Sequence, residues 1–274
     1  TYIEDHSLEF KNFTIHPVKV THSIPDTYGL IVQEKTGAFN ILFISDFKYD
    51  LDPLYESPFN TKKIKRLFSK GAINYSMMDS TNALKPGGTP SEKDLIPGLR
   101  EVCSQKRRVF ITLFSSNIHR LRTIFTIAKE ENKRVVTIGR SIKSYVEVAK
   151  ECGLFGDELS VLMDEREVTD PQSKRHIYLL TGCQGDHFGA LRRVSSGEHK
   201  FLSPQEGDLF AFSSKAIPGN EKKIYRIYNV LTEAGADIVT NNDALIHASG
   251  HPAQDDLERL YNEIKADVII PIHG

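Results

Sequence analysis

The stretch VFITLFSSNIHRLRTIFTIAKEENKRVVTIG, residues 109–139, decides the fold. VFITLF is a short apolar, β-branched and aromatic run of the kind that fills a buried strand. NIHRLRTIFTIAKEENK then places apolar residues at helical spacing, and RVVTIG returns to strand character. Strand, helix and strand in so short a span predict a βαβ unit, because parallel neighbours need a crossover and a helix is the usual one. The pattern continues with a helix near 142–152, the strand HIYLLTG (176–182), the strand DLFAFSS (208–214), the helix NEKKIYRIYNVLTEAG (220–235) and the strand DIVT (237–240). Alternation of this kind argues for a parallel sheet covered on both faces, with function gathered in the loops after the strands' carboxyl ends.

Toward the N terminus the texture differs. FTIHPVKV (13–20), YGLIVQ (28–33) and FNILFISD (39–46) are short strand-like runs joined by Pro, Asp and Gly turns, which predicts antiparallel pairing. TKKIKRLFSKG (61–71) reads as a helix with a solvated basic face, and AINYSMMD (72–79) as a strand. DEREVTDPQSKR (164–175) has the length of an ordinary surface loop rather than a linker.

Composition narrows the class. The chain has 274 residues, 39% of them hydrophobic, enough for one large or two modest cores. Its 35 basic and 36 acidic residues leave a net charge of −1, so any polyanion must be held by local sites. Cys103, Cys152 and Cys183 are widely spaced and odd in number, suggesting neither a disulfide framework nor a cysteine zinc motif, and favouring a reducing, cytoplasmic setting. The longest apolar runs fall far short of a membrane span. No GxGxxG follows any strand, which leaves a nucleotide-cofactor oxidoreductase poorly supported.

His22, Asp46, Asp79, His247, His251 and His273 each lie at a strand end or in a turn beside Ser, Gly or Pro. Imidazole and carboxylate together are the usual donors for a zinc or manganese ion that activates water. Each residue taken singly is as well explained by turn formation, and no pair has the spacing of an HExxH helix. The residues alone support an α/β protein with a His/Asp metal site and name no substrate.

The turn phrases THSIPD (21–26), DFKYD (46–50), DSTNALKPGGTPSE (79–92), SSNIHR (115–120), GRS (139–141), TGCQGD (181–186), FSSKAIPGNE (212–221), HASGH (247–251) and PIHG (271–274), in this order, resemble the ribonuclease J family. These are metallo-β-lactamase nucleases carrying an inserted β-CASP domain. The resemblance implies a partial αββα metallo-β-lactamase sandwich over 1–88 and 246–274 and an α/β β-CASP domain over 89–245. It further implies His22 and His273 as metal ligands, Asp46 as a carboxylate bridging two zinc ions, Asp79 as an acidic residue that orients the site, and His251 as the histidine beside the scissile phosphate. Manganese or magnesium could replace zinc. Ser249, Gly250, His247, Ser115, Ser116 and Asn117 would contact substrate. The implied reaction is 5′-to-3′ exonucleolytic and endonucleolytic hydrolysis of single-stranded RNA, with homo-oligomers in the full-length family and no membrane partner. The family's HxHxDH motif does not occur in these residues, so the expectation is a piece of a nuclease, cut at both ends and inactive alone. Ser45, Cys183 and Asp186-His187 depart from the family's usual Gly, Ser and Glu-Pro. The competing expectations are a non-catalytic RNA-binding scaffold and a β-CASP nuclease acting on DNA. His6, His16, His176, His187 and His199 match no phrase and read as ordinary surface or strand residues. Cys183 reads as a small loop residue.

Overall fold

A computed structural model describes residues 6–68 and 73–273. In chain order, these form β1 (Leu8–Glu9), β2 (Phe13–Lys19), β3 (Tyr28–Glu34), β4 (Phe39–Ile44), α1 (Thr61–Phe68), β5 (Ile73–Asp79) and α2 (Ile96–Cys103). There follow β6 (Val109–Thr112), α3 (Ile118–Glu130), β7 (Arg134–Ile138), α4 (Arg140–Glu151), β8 (Leu162–Met163) and β9 (His176–Leu180). The remainder is α5 (Ala190–Ser195), β10 (Leu209–Phe212), α6 (Glu221–Glu233), β11 (Asp237–Val239), α7 (Gln254–Ile264) and β12 (Val268–Ile272). The expected extension of α1 through Ser69–Gly71, the Ala72 start of β5 and the final Gly274 lie outside the described residues.

Two compact units divide the chain, one comprising 1–93 with 249–274 and the other 94–248. The borders expected from the sequence are 88/89 and 245/246.

In the first unit the strands run in the order β1-β2-β3-β4-β5-β12. β2, β3 and β4 pair antiparallel, whereas β4–β5 and β5–β12 are parallel. The change of sense follows from the connections. Short connections return the chain between the first strands, while the segment carrying α1 lets β5 run parallel to β4. Ile64, Leu67 and Phe68 of α1 pack with Val18, Ile31, Leu42 and Ile44 of the sheet and Leu257, Leu260 and Ile264 of α7. The carboxamide of buried Asn40 donates to the carbonyl of Phe68 at 3.2 Å, satisfying a group that the end of α1 leaves unbonded.

The second unit is a parallel sheet in the order β11-β10-β6-β9-β7-β8. β6, β9 and β10 are buried at every position. Their side chains alternate between two cores, as period two requires. Val109, Ile111, Leu209 and Ala211 face Leu99 and Val102 of α2, Leu121 and Ile124 of α3 and Ile142 of α4. Phe110, Phe210 and Phe212 face Leu191 and Val194 of α5 and Ile227 and Leu231 of α6. The α/β reading of the sequence therefore holds.

Helix α2 was not anticipated. Pro97 sits in the first turn, where proline suits a helix, but Gly98 weakens the helical pattern of a short segment; a Cβ at Gly98 would stand 2.5 Å from the Leu245 carbonyl oxygen, so close packing selects the glycine. His199, read as a surface residue, is buried, and His176 is buried within β9. Among the described residues no helix is long and apolar enough to cross a membrane.

Candidate metal centre

Register builds the site. β4, β5 and β12 run parallel, with Ile44 opposite Met78 and Asp79 opposite Ile272. The carboxyl ends of three strands thus deliver Asp46, Asp79 and His273 to one rim. His22 and Ser23 enter from the turn after β2, where Thr21 bridges to Lys48. Ser249 to His251 arrive on the segment before α7, anchored by a bridge from Asn82 to Ala253.

Ligand-capable atoms of Asp46, Asp79 and His251 lie within 4.8 Å of one another. His273 Nε2 stands 3.6 Å from Asp46 Oδ1 and 3.0 Å from Ser45 Oγ. His273 itself adopts φ 60°, a left-handed backbone uncommon for a side chain of its size. The sequence-predicted ligands His22, Asp46 and His273 are all on this unit, but the tightest grouping joins Asp46 to Asp79 and His251.

Asp79 is fully buried. Its Oδ1 accepts from Thr81 N at 2.9 Å and Thr81 Oγ1 at 2.6 Å, and its Oδ2 from His251 Nδ1 at 2.5 Å. Burial raises the carboxyl's pKa, but the bonds from His251 and Thr81 outweigh it and leave the group below the ordinary carboxylate range. The same bond lifts the His251 imidazole above its usual value, against the effect of burial. Because a carboxylate can only accept, Nδ1 of His251 carries the proton and Nε2 is the ring's other face.

His22 is organised in the same way. Its Nδ1 donates to the Gly250 carbonyl at 2.8 Å, which turns Nε2 away from that bond. Burial lowers its pKa, favouring the neutral ring a metal requires, although the Gly250 carbonyl opposes the shift. An imidazole whose second nitrogen is tied to a carbonyl is the form in which histidine holds zinc, so His22 beside the Asp46 carboxylate fits a divalent cation.

Several supporting residues escaped sequence reading. Asn82 donates to Ser249 Oγ at 2.9 Å and to the His251 carbonyl at 3.3 Å. Thr89 Oγ1 donates to the same carbonyl at 2.9 Å and accepts from Ala253 N at 3.0 Å. Ser249 Oγ takes the His251 amide at 3.1 Å, so the hydroxyl expected to meet substrate also holds the backbone of its neighbour. The usable signal was the run Asp79-Ser80-Thr81-Asn82, whose short polar side chains bond to nearby backbone at strand ends.

The remaining predicted residues belong to the second unit. Ser115 and Ser116 are half-buried, with Ser115 Oγ 3.1 Å from Ser141 Oγ. Asn117 is 3% exposed and serves as the N-cap of α3, accepting from Arg120 N at 3.0 Å, so its carboxamide oxygen is engaged by the helix rather than open to substrate. His247 Nδ1 accepts from Arg120 Nη1 at 2.9 Å, and buried Arg120 also donates to the Ser213 carbonyl at 2.9 Å and the Ala248 carbonyl at 3.2 Å. His247 thereby takes part in satisfying a buried guanidinium.

A strand-end His/Asp centre on a mixed sheet, joined in the chain to a separate doubly covered parallel sheet, defines a metallo-β-lactamase-type fold with a β-CASP insertion. Residues 106–231 match the model of the ribonuclease J β-CASP domain. Ribonuclease J of Sinorhizobium meliloti is 34% identical over 263 residues, covering 96% of this chain and 46% of that protein. Ribonuclease J of Mycolicibacterium smegmatis is 35% identical over 256 residues, covering 93% and 45%. A crystal structure of a protein of unknown function from Enterococcus faecalis shares the fold at 15% identity, with a TM-score of 0.65 over 100% of this chain and 61% of that one. The chain is similar to ribonuclease J over nearly its whole length, its residues 106–231 match that family's β-CASP domain, and it spans under half the length of these curated relatives.

Proposed function

We propose that the chain forms part of a metal-dependent ribonuclease that hydrolyses phosphodiester bonds of single-stranded RNA, by 5′-to-3′ exonucleolytic and by endonucleolytic cleavage, in the cytoplasm and as a homo-oligomer. The observation that carries this reading is the convergence of Asp46, Asp79 and His251, residues far apart in the chain, within 4.8 Å. The likeness to ribonuclease J supports RNA as the substrate class.

In this reading His22, Asp46 and His273 would be the ligands of zinc, with manganese or magnesium as substitutes, and Asp46 would be the carboxylate shared between two ions. Bound cations supply Lewis acidity, bringing the pKa of water toward neutrality and neutralising charge on the phosphodiester. The chain's own groups do the rest. Asp79 fixes the His251 ring through its Nδ1 proton, and the raised pKa keeps a proton available on Nε2 for the departing 3′ oxygen. Ser249 and Gly250 place a hydroxyl and a backbone N–H beside that ring, suited to a phosphate oxygen. Two ions held at this rim would take more donors than His22, Asp46 and His273 offer, since a catalytic zinc ordinarily has three protein ligands of its own.

The test is cleavage of a 5′-monophosphorylated single-stranded RNA by the protein in its native length. Activity lost with chelator and in Asp46→Asn and His251→Ala supports the reading. A folded protein that binds RNA and leaves it intact with zinc or manganese overturns it in favour of a binding scaffold.

A further inference from the structure

Two cavities of about 520 and about 700 Å³ lie along the turn after β9. His187 and Arg192 line both, which makes them one groove. Arg140 and Arg193 line one end, Lys223 and Arg226 the other, with Ile227 and Val230 as an apolar wall. Every one of these residues belongs to the second unit, and none takes part in the His/Asp centre.

Some cations of this chain meet carboxylates, as in Lys19–Glu56, Arg100–Glu130 and Arg108–Asp208. Along the groove, Arg192 shares Glu198 at 3.3 Å, whereas among the described residues Arg140, Arg193, Lys223 and Arg226 have no carboxylate at ion-pair distance. A net charge of −1 over the chain makes this a local concentration rather than a sample of a basic surface.

An aromatic platform adjoins it. Phe188 is 88% exposed and stacks on His187 with centroids 5.0 Å apart at 21°. The turn that presents the pair is held by Gly185 N to the Gly182 carbonyl at 3.0 Å and Gly189 N to the Asp186 carbonyl at 2.9 Å. Cations without carboxylate partners along a groove beside exposed rings are what binds a single strand without reading its sequence, phosphates on the charges and bases on the rings.

We propose that this groove docks a single RNA strand, with its phosphates against Arg192, Arg193, Lys223 and Arg226 and a base on Phe188. The proposal rests on the nuclease reading only for the strand being RNA. Fluorescence anisotropy of a labelled oligouridine of about 12 nucleotides, titrated with chelator present at several salt concentrations, tests it. Lys223→Ala with Arg226→Ala should weaken binding at least tenfold at low salt and flatten the dependence of log affinity on log salt by about 0.7 for each phosphate that is no longer neutralised. Phe188→Ser should weaken binding by about tenfold and leave that slope unchanged. Lys62→Ala on α1 should bind as the unmodified protein does. All of these side chains are exposed, so the variants should melt with the parent. Unchanged affinity and slope in both groove variants overturn the proposal, as does full competition by equimolar uridine monophosphate, which offers only one phosphate. Cleavage scored on the same preparations separates the two readings. Groove-dependent binding without metal-dependent cleavage sinks the nuclease alone, and cleavage with groove-independent binding sinks the groove alone.

Discussion

Replacement of Gly250 by alanine should act almost entirely through His22. A Cβ there would lie 2.7 Å from His22 Cε1, 2.9 Å from its Nδ1 and 2.6 Å from Ser23 Oγ. Gly250 is not among the residues with positive φ, so the backbone accepts alanine and the consequence is steric. The Ser23 hydroxyl can rotate away. The ring cannot easily do so, because the carbonyl of Gly250 itself holds Nδ1 at 2.8 Å. Restoring ordinary van der Waals spacing requires the ring to retreat by roughly 0.7 Å, and overpacking of this kind costs about 1–3 kcal/mol. At about 2–4 °C per kcal/mol, the melting temperature of the metal-free protein should fall by about 2–12 °C. Displacing a ligand that is held by such an outer hydrogen bond should also weaken zinc binding by about 10–100-fold. Thermal melting and calorimetric zinc titration of Gly250→Ala read the two effects. A variant that melts with the parent and binds zinc equally well would show that His22 is neither constrained by Gly250 nor a ligand.

Other consequences are independent of the centre. Arg108 Nε donates to Asp208 Oδ1 at 2.7 Å and Nη2 to Oδ2 at 2.5 Å, both side chains being 4% exposed; Asp208→Ala would strand the guanidinium and should cost about 3–5 kcal/mol in denaturant unfolding, and a change below about 1 kcal/mol would refute the buried pair. Burial holds the His176 and His199 imidazoles below their usual pKa, and His199 Nδ1 accepts from Leu202 N at 3.3 Å, a bond that ring protonation breaks. The unfolded chain therefore binds more protons, so this stability is complete above about pH 6.5 and is lost as pH falls through the depressed folded values. Melting temperature should drop on acidification, less steeply in His199→Asn, and an identical slope in that variant would exclude the residue. Burial pushes the Cys103 thiol up to about 12 and raises that of Cys183, while Cys152 is exposed. A thiol reagent should label Cys152 rapidly and the other two only on unfolding, and fast modification of Cys152→Ser would contradict this.

Much of this molecule was open to reading before any coordinates. The periods of apolar residues in 109–139 specify strand, helix and strand because local burial on one face of each element requires them, and the observed β6, α3 and β7 follow. The antiparallel start and the order of motif phrases were equally legible, since turn chemistry is local. What needed tertiary structure was partnership. Asp79 and His251 carry no mark in sequence that one holds the other at 2.5 Å, and the approach of His273 to Asp46 arises from the register of β4, β5 and β12. Helix α2 formed despite its glycine because packing against Leu245 outweighs weak local propensity. Asn117 proved to be a cap, and the groove of Arg140, Arg192, Lys223 and Arg226 joins residues from α4, α5 and α6. Periodicity and turn type are properties of neighbouring residues, so they survive in the linear chain; sites are made where distant segments meet, which happens only once the sheets have set which strand ends lie side by side.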